Sequence, residues 1–256
     1  MTAATSVAGT QAGTGSVRHP LDPDRRIRGV LFDLDGTLYS QPPVRLLMAA
    51  EMLTLPLIAP SRAASIIRAL RSYRHAQEAL RGHESSTPLD AAQVAVAAER
   101  AGLPHDEVAA IVDEWMIRRP LKYLRRCVAP GAHELVALLH REGVHVGLFS
   151  DYPAHEKIGA LGLADRFSPV LCSSDPGINR FKPDPRGFLA AAAAWQLPPS
   201  DVLMIGDRYE VDFAGARAAG MPCVLVGNPR HVPSADAAAV FPSLERLARV
   251  LDRHHA

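Results

Sequence analysis

The chain has 256 residues, 48% of them apolar, and its 28 basic and 27 acidic side chains leave a formal net charge of +1. That length accommodates one large domain or a core with a smaller companion, and the apolar share supports a sizeable buried core. Near-neutral charge argues against the basic footprint of a nucleic-acid or membrane-surface binder, so a small molecule is the expected partner.

In chain order, residues 1–24 open with a stretch dominated by Ala, Gly, Ser and Thr. With no charged start followed by an apolar core it reads as a disordered tail rather than a secretory signal. Residues 27–34 (IRGVLFDL) are almost continuously apolar, with Asp33 near the end and Asp35 just beyond it, the pattern of a strand buried on both faces in a parallel sheet. The pattern returns at residues 144–149, 169–172, 202–205 and 223–226, with helical patterns between at 133–142, 154–161, 185–195 and 211–219. Alternating strands and helices predict an α/β fold, a Rossmann-like three-layer α/β/α core around a parallel sheet.

Residues 42–127 break the alternation. They show only helical periodicity, at 61–81, 88–101 and 105–118. The apolar run at 44–59 is interrupted by Arg45, Glu51 and Pro56, and it is shorter than the ~20 residues a membrane-spanning helix needs. An insert leaving from the carboxyl end of the first strand sits over the ligand-binding edge of such a sheet, so it reads as a smaller α-helical cap domain. The expected division is a core of residues 25–41 and 128–256 with a cap of residues 42–127. Cys127, Cys172 and Cys223 are odd in number and widely spaced, which fits neither a disulfide framework nor a zinc site and suggests a reducing, cytoplasmic setting.

The sharpest chemical signal is Asp33-Leu34-Asp35-Gly36-Thr37-Leu38, two carboxylates at alternate positions where an apolar strand gives way to a glycine turn. An Asx turn would explain Asp35 and Gly36 but would strand Asp33 in apolar surroundings. A bound divalent cation would neutralise the pair while one carboxylate attacks and the other handles protons. Gly206-Asp207 followed by Asp212 supplies further oxygen ligands at another strand end, a set suited to Mg²⁺. Ser150 closes the strand at 144–149, where its hydroxyl and the following backbone N–H groups, that of Asp151 first, can hold a phosphoryl oxygen or cap a helix. The chain has only three lysines, Lys122, Lys157 and Lys182, and Lys182 lies in Lys-Pro-Asp-Pro just before a helix. A compact point charge there contrasts with the arginines used elsewhere.

These four segments resemble the haloacid dehalogenase superfamily, a family mostly of phosphatases. DLDGTL, the strand-terminal Ser150, the Lys182 motif and the Asp207/Asp212 pair occur in that family's order, and the helical insert resembles its subclass with a cap after the first motif, as in phosphoglycolate phosphatase-like members. Asp151 is a departure, since many members carry Asn there. The resemblance implies an Mg²⁺-dependent phosphatase acting on a small phosphorylated metabolite through an aspartyl-phosphate. Asp33 would attack phosphorus, and Asp35 would protonate the leaving oxygen and then activate water. Asp33, the Asp35 carbonyl, Asp207 and Asp212 would serve the metal, with Thr37, Ser150, Asp151 and Lys182 holding the phosphoryl group. Asp35 disfavours a dehalogenase, and Lys122 is the single candidate for a Schiff-base lysine. A phosphosugar mutase on the same scaffold and a non-catalytic phosphate-binding protein are the alternatives. In the cap, Arg68, Arg71, Arg74 and His75 recur at roughly helical spacing, with Arg118 and Arg119 further on. Arg71, Arg74 and His75 are the candidates for gripping an anionic substrate group, against the plainer reading of a solvated face. His231, His254 and His255 read as surface residues, and the chain is expected to be a monomer or homodimer.

Overall fold

The computed structural model describes Leu21 and residues 26–58, 60–83 and 86–255; the tail expected over residues 1–24 falls outside them except for Leu21. Of His254 and His255 only the backbone is described, whereas His231 is exposed as expected. Six strands, β1 (Gly29–Phe32), β2 (His145–Ser150), β3 (Val170–Cys172), β4 (Val202–Gly206), β5 (Cys223–Val226) and β6 (Val240–Phe241), form one parallel sheet in the order β3-β2-β1-β4-β5-β6. β1 is central, with Phe32 beside Leu148 of β2 and Ile205 of β4. Strand order reverses on either side of β1, which creates the crevice where open α/β sheets bind ligands.

Between β1 and α6 the helical insert contributes α1 (Gln41–Ile58), α2 (Pro60–Leu80), α3 (Leu89–Ala101), α4 (His105–Val112) and α5 (Arg119–Leu124), the last two joined by a π-helical turn over Asp113–Arg118. The remaining helices are α6 (Ala132–Arg141), α7 (His155–Ala160), α8 (Arg186–Ala194), α9 (Ala214–Ala218) and α10 (Leu244–His255).

Period-two alternation sends the strand side chains to two separate cores. Val30, Phe32, Leu203, Ile205 and Leu148 pack with Leu135, Leu139, Ile158, Leu247 and Leu251 on one face of the sheet. Leu31, Phe149, Val202 and Met204 pack with Phe188, Ala191, Phe213 and Ala216 on the other. Strands covered on both sides carry no solvent-facing polar row, which is why they read as unbroken apolar runs. The helical insert has its own core. Ile66, Ala69, Tyr73 and Ala76 of α2, spaced at three and four residues, meet Ala97, Val108, Ile111 and Trp115.

Three differences from the sequence expectation have local causes. β1 ends at Phe32 rather than residue 34, because the Leu34 carbonyl accepts the N–H groups of Thr37 and Leu38 and turns the chain. β6 has two residues, too few to show any periodicity. α10 was not expected, although it buries Leu244, Leu247 and Leu251 on one stripe. Among the described residues no helix is long and apolar enough to cross a membrane.

Candidate active site

The turn after β1 is the foundation of the site. The Asp33 N–H still donates to the Ile205 carbonyl at 2.8 Å, so the carboxylate leaves the sheet at a fixed point beside the end of β4. Asp33 is buried, and its Oδ1 accepts from Lys182 Nζ at 2.7 Å. The same ammonium lies 2.9 Å from Asp212 Oδ1 and 5.0 Å from the centroid of the Phe149 ring. Asp212 is held in turn by its other oxygen, which accepts from the backbone N–H groups of Asp207 at 3.2 Å and Arg208 at 3.1 Å.

Two glycines make this approach possible. Gly36 has φ +109°, and a Cβ there would lie 2.2 Å from Asp207 Oδ2; a Cβ at Gly206 would lie 2.4 Å from the Cβ of Asp212. Asp33, Asp207 and Asp212 each offer an oxygen, all within 4.8 Å of one another. Asp33 Oδ2 and Thr37 Oγ1 are buried without a hydrogen-bond partner. Buried polar atoms are nearly always satisfied in folded proteins, so these two point to something the chain itself does not supply. An all-carboxylate oxygen set with one orphaned oxygen fits a hard divalent cation.

The electrostatics separate the carboxylates. Burial pushes Asp33 well above the usual carboxylate range, with Asp212 and Asp207 adding to the shift and Lys182 opposing it. Burial, followed by Asp212, pushes Asp207 up to about 7. Lys182 is buried among these acids, and although burial works against its charge, Asp212 and Asp33 hold its pKa above the ordinary lysine value. Three acids around one lysine leave an excess of negative charge that a cation would relieve.

Asp35 faces a different partner. Both its oxygens accept from Lys157 Nζ, at 2.7 and 2.9 Å, and Tyr39 Oη also donates to it. Burial alone would raise its pKa, yet Lys157 and the Tyr39 hydrogen bond bring it below the ordinary value. The Asp35 carbonyl accepts from Gln41 Nε2 at 2.7 Å. Sequence reasoning missed Lys157. Its only signal was scarcity, since two of the three lysines in the chain are buried at this site.

Ser150, at the end of β2, is buried, and its Oγ accepts the Tyr152 N–H at 3.2 Å. The Asp151 carboxylate faces the helical insert, accepting from Gln77 and Arg81. The insert is thereby in contact with the strand-end loops. Arg71, Arg74 and His75 are exposed, and their side chains bond to none of the described residues; Arg68 is exposed as well. Arg118 pairs with Asp113 at 2.8 Å, while Arg119 pairs with Glu51 and Glu114 and stacks 4.1 Å over Trp115. Lys122 pairs with Glu51 at 2.7 Å and is half exposed, so the structure does not bring it into the carboxylate cluster.

The model of the family described as haloacid dehalogenase-like hydrolase matches residues 27–220. The chain belongs to that family. Among relatives of this hydrolase, a phosphoserine phosphatase of Thermus thermophilus is 38% identical over 100 residues, covering 38% of this chain and 39% of that enzyme. The chain thus matches about two fifths of that relative's length. A phosphoglycolate phosphatase of Salmonella typhimurium is 28% identical over 221 residues, covering 80% of this hydrolase and 82% of that enzyme. In structure it is similar to a 2-haloacid dehalogenase of Pseudomonas syringae, with a TM-score of 0.61 and 25% identity over 89% of this chain and 99% of that one.

Proposed function

We propose that this hydrolase is a Mg²⁺-dependent phosphatase that cleaves a small phosphate monoester through an aspartyl-phosphate on Asp33, with the helical insert of residues 42–127 acting as a cap. The observation that carries the reading is Asp33 Oδ2, a buried carboxylate oxygen with no partner, beside Lys182 and two further acids. The relatives named as phosphatases of small metabolites support the substrate class. Asp33, Asp207 and the Asp35 carbonyl would hold Mg²⁺ at the strand ends, with Asp212 orienting Lys182 and the Asp207 loop. When bound, the ion neutralises the clustered carboxylates and the phosphoryl oxygens, allowing the anionic nucleophile and substrate to meet.

The chain's own groups account for the rest. Asp33 is fixed by its backbone bond to β4 and by Lys182, so its carboxylate is held in place for attack with little reorganisation. Lys182 remains charged in the buried site and meets the charge that develops on the phosphoryl oxygens, as phosphoryl transfer requires. The Thr37 hydroxyl, unpartnered and buried, supplies a donor, and Ser150 with the Asp151 N–H supplies others. Asp35 is ionised in the resting arrangement, which readies it as the base for the hydrolytic water. The proton for the leaving oxygen enters with the monoester itself, whose second pKa near 6 leaves a fraction as the monoanion. Asp35 takes that proton and passes it to the leaving oxygen, then removes one from water in the second step.

The test is hydrolysis of an aryl phosphate with Mg²⁺, with EDTA, and by Asp33→Asn. The expected result is turnover that EDTA abolishes and the substitution reduces by at least about 10³-fold, the scale of losing a nucleophile. Equal rates for the two proteins would exclude Asp33 as nucleophile. A screen of phosphorylated metabolites then identifies the substrate.

A further inference from the structure

The carboxylate of Asp151 is fully used by protein partners. Its Oδ1 accepts from Ser173 Oγ at 2.9 Å and from the Lys182 N–H at 3.1 Å. Its Oδ2 accepts from Gln77 Nε2 at 3.0 Å and Arg81 Nη2 at 2.8 Å. Arg81, one residue past the end of α2, also donates through Nη1 to the Lys182 carbonyl. Residue 182 is therefore gripped at both its main-chain groups, the N–H by Asp151 and the C=O by Arg81. The pair is well shielded, with side chains 11% and 13% exposed, and the guanidinium lies 5.7 Å from the Phe181 ring centroid.

The grip continues into the insert. Tyr152 Oη donates to Gln77 Oε1 at 2.8 Å, and Gln93 Nε2 reaches Tyr152 Oη at 3.2 Å and the Tyr73 carbonyl at 2.9 Å. An asparagine at position 151 could not replace this carboxylate, because one amide oxygen cannot accept from four donors and the amide nitrogen would face the Arg81 N–H groups. Charge-assisted bonds of this kind fix geometry as well as adding energy.

We propose that Arg81 is a positioning residue for the phosphate site: seating of the helical insert, through the Arg81–Asp151 pair, sets the backbone of Lys182 and so aims its ammonium group at Asp33 and the phosphoryl group. The inference rests on the phosphatase reading for the identity of the anion. The insert then does more than cover the site, because its docking completes the cation that binds the substrate.

The experiment measures inorganic phosphate affinity by calorimetry in Mg²⁺, together with kcat and KM on an aryl phosphate and the melting temperature. The proteins are wild type, Arg81→Ala, Arg81→Lys, Asp151→Asn and the double variant Arg81→Ala/Asp151→Asn. Phosphate affinity and kcat are each expected to fall on the order of tenfold in Arg81→Ala and in Asp151→Asn, the effect of a sub-ångström displacement at a reacting centre. The double variant should be no worse than the weaker single, since both break one device. Arg81→Lys should recover only part of the loss, because an ammonium cannot span both acceptors as the planar fork does. Phosphate affinity and kcat within twofold of wild type in Arg81→Ala, whatever its melting temperature, would overturn the inference, as would losses that multiply in the double variant. If Arg81→Ala does not fold, Arg81→Lys and Asp151→Asn decide by the same criteria. A wild type that binds no phosphate sinks the functional reading and this inference with it, whereas a wild type that binds phosphate as Arg81→Ala does sinks the inference alone.

Discussion

Asp33 and Asp35 are two residues apart, yet the fold gives them opposite surroundings. Asp33 is buried among acids with one lysine, and Asp35 is clamped by Lys157 and Tyr39. Asp33, pushed up by burial, needs a bound cation before it can act as an anion, whereas Asp35 is held ionised by Lys157 and is ready to take a proton. Replacing Lys157 by Met tests this division. Losing the partner of a largely buried carboxylate should destabilise the protein by about 3–5 kcal/mol, visible in urea unfolding. Burial would then dominate at Asp35 and raise its pKa, so the base for the second step is lost. A burst of aryl alcohol release followed by slow steady-state turnover is the expected outcome in stopped flow. Wild-type steady-state rates without a burst would refute the role given to Lys157.

At the level of elements, the site depends on how tightly two turns approach. Gly36 closes the turn after β1 against Asp207 at the end of β4, with positive φ and no room for a Cβ. Gly36→Ala should therefore displace Asp207, costing roughly 1–3 kcal/mol from backbone strain and reducing Mg²⁺ affinity in a calorimetric titration. A variant with unchanged Mg²⁺ affinity would separate Gly36 from the metal site. The helices covering the sheet are governed by ordinary packing. Leu135 of α6 is fully buried between the sheet and α10, and Leu135→Ala should cost about 2–5 kcal/mol with kcat unchanged once the protein is folded. α10 itself was legible in principle from its three leucines at spacings of three and four.

For the whole molecule, metal binding at the acid cluster would couple to pH and stability. Asp207 has a native pKa pushed up to about 7 from an ordinary value of 3.8, so the metal-free native state holds this proton more tightly than the unfolded chain does. The sign follows: without metal, the contribution from Asp207 is most favourable below about pH 4 and is lost as pH rises towards 7. A divalent cation favours the ionised carboxylate and reverses the trend. The rise in melting temperature on adding Mg²⁺ should accordingly be larger at pH 8 than at pH 5.5, and Asp207→Asn should reduce the difference to the part that Asp33 contributes. An equal Mg²⁺ shift at both pH values would show that Asp207 does not carry the linkage.

The sequence by itself determined the layered fold, because strands buried on two faces and amphipathic helices leave patterns that depend only on near neighbours along the chain. It also marked Asp33, Asp35 and Asp207, since carboxylates where an apolar strand ends are conspicuous in one dimension, while Ser150, Lys182 and Asp212 stood out only through the order in which the motifs occur. Tertiary structure alone decided which cation meets which acid. Lys157 is 122 residues from Asp35 and Arg81 is 70 residues from Asp151, and nothing in either local sequence distinguishes those side chains from solvated ones. Arg71, Arg74 and His75 share a helix with Gln77 but remain on its exposed side. Helical spacing orders side chains around an axis, and only the packing of that axis on the core determines which side faces the site.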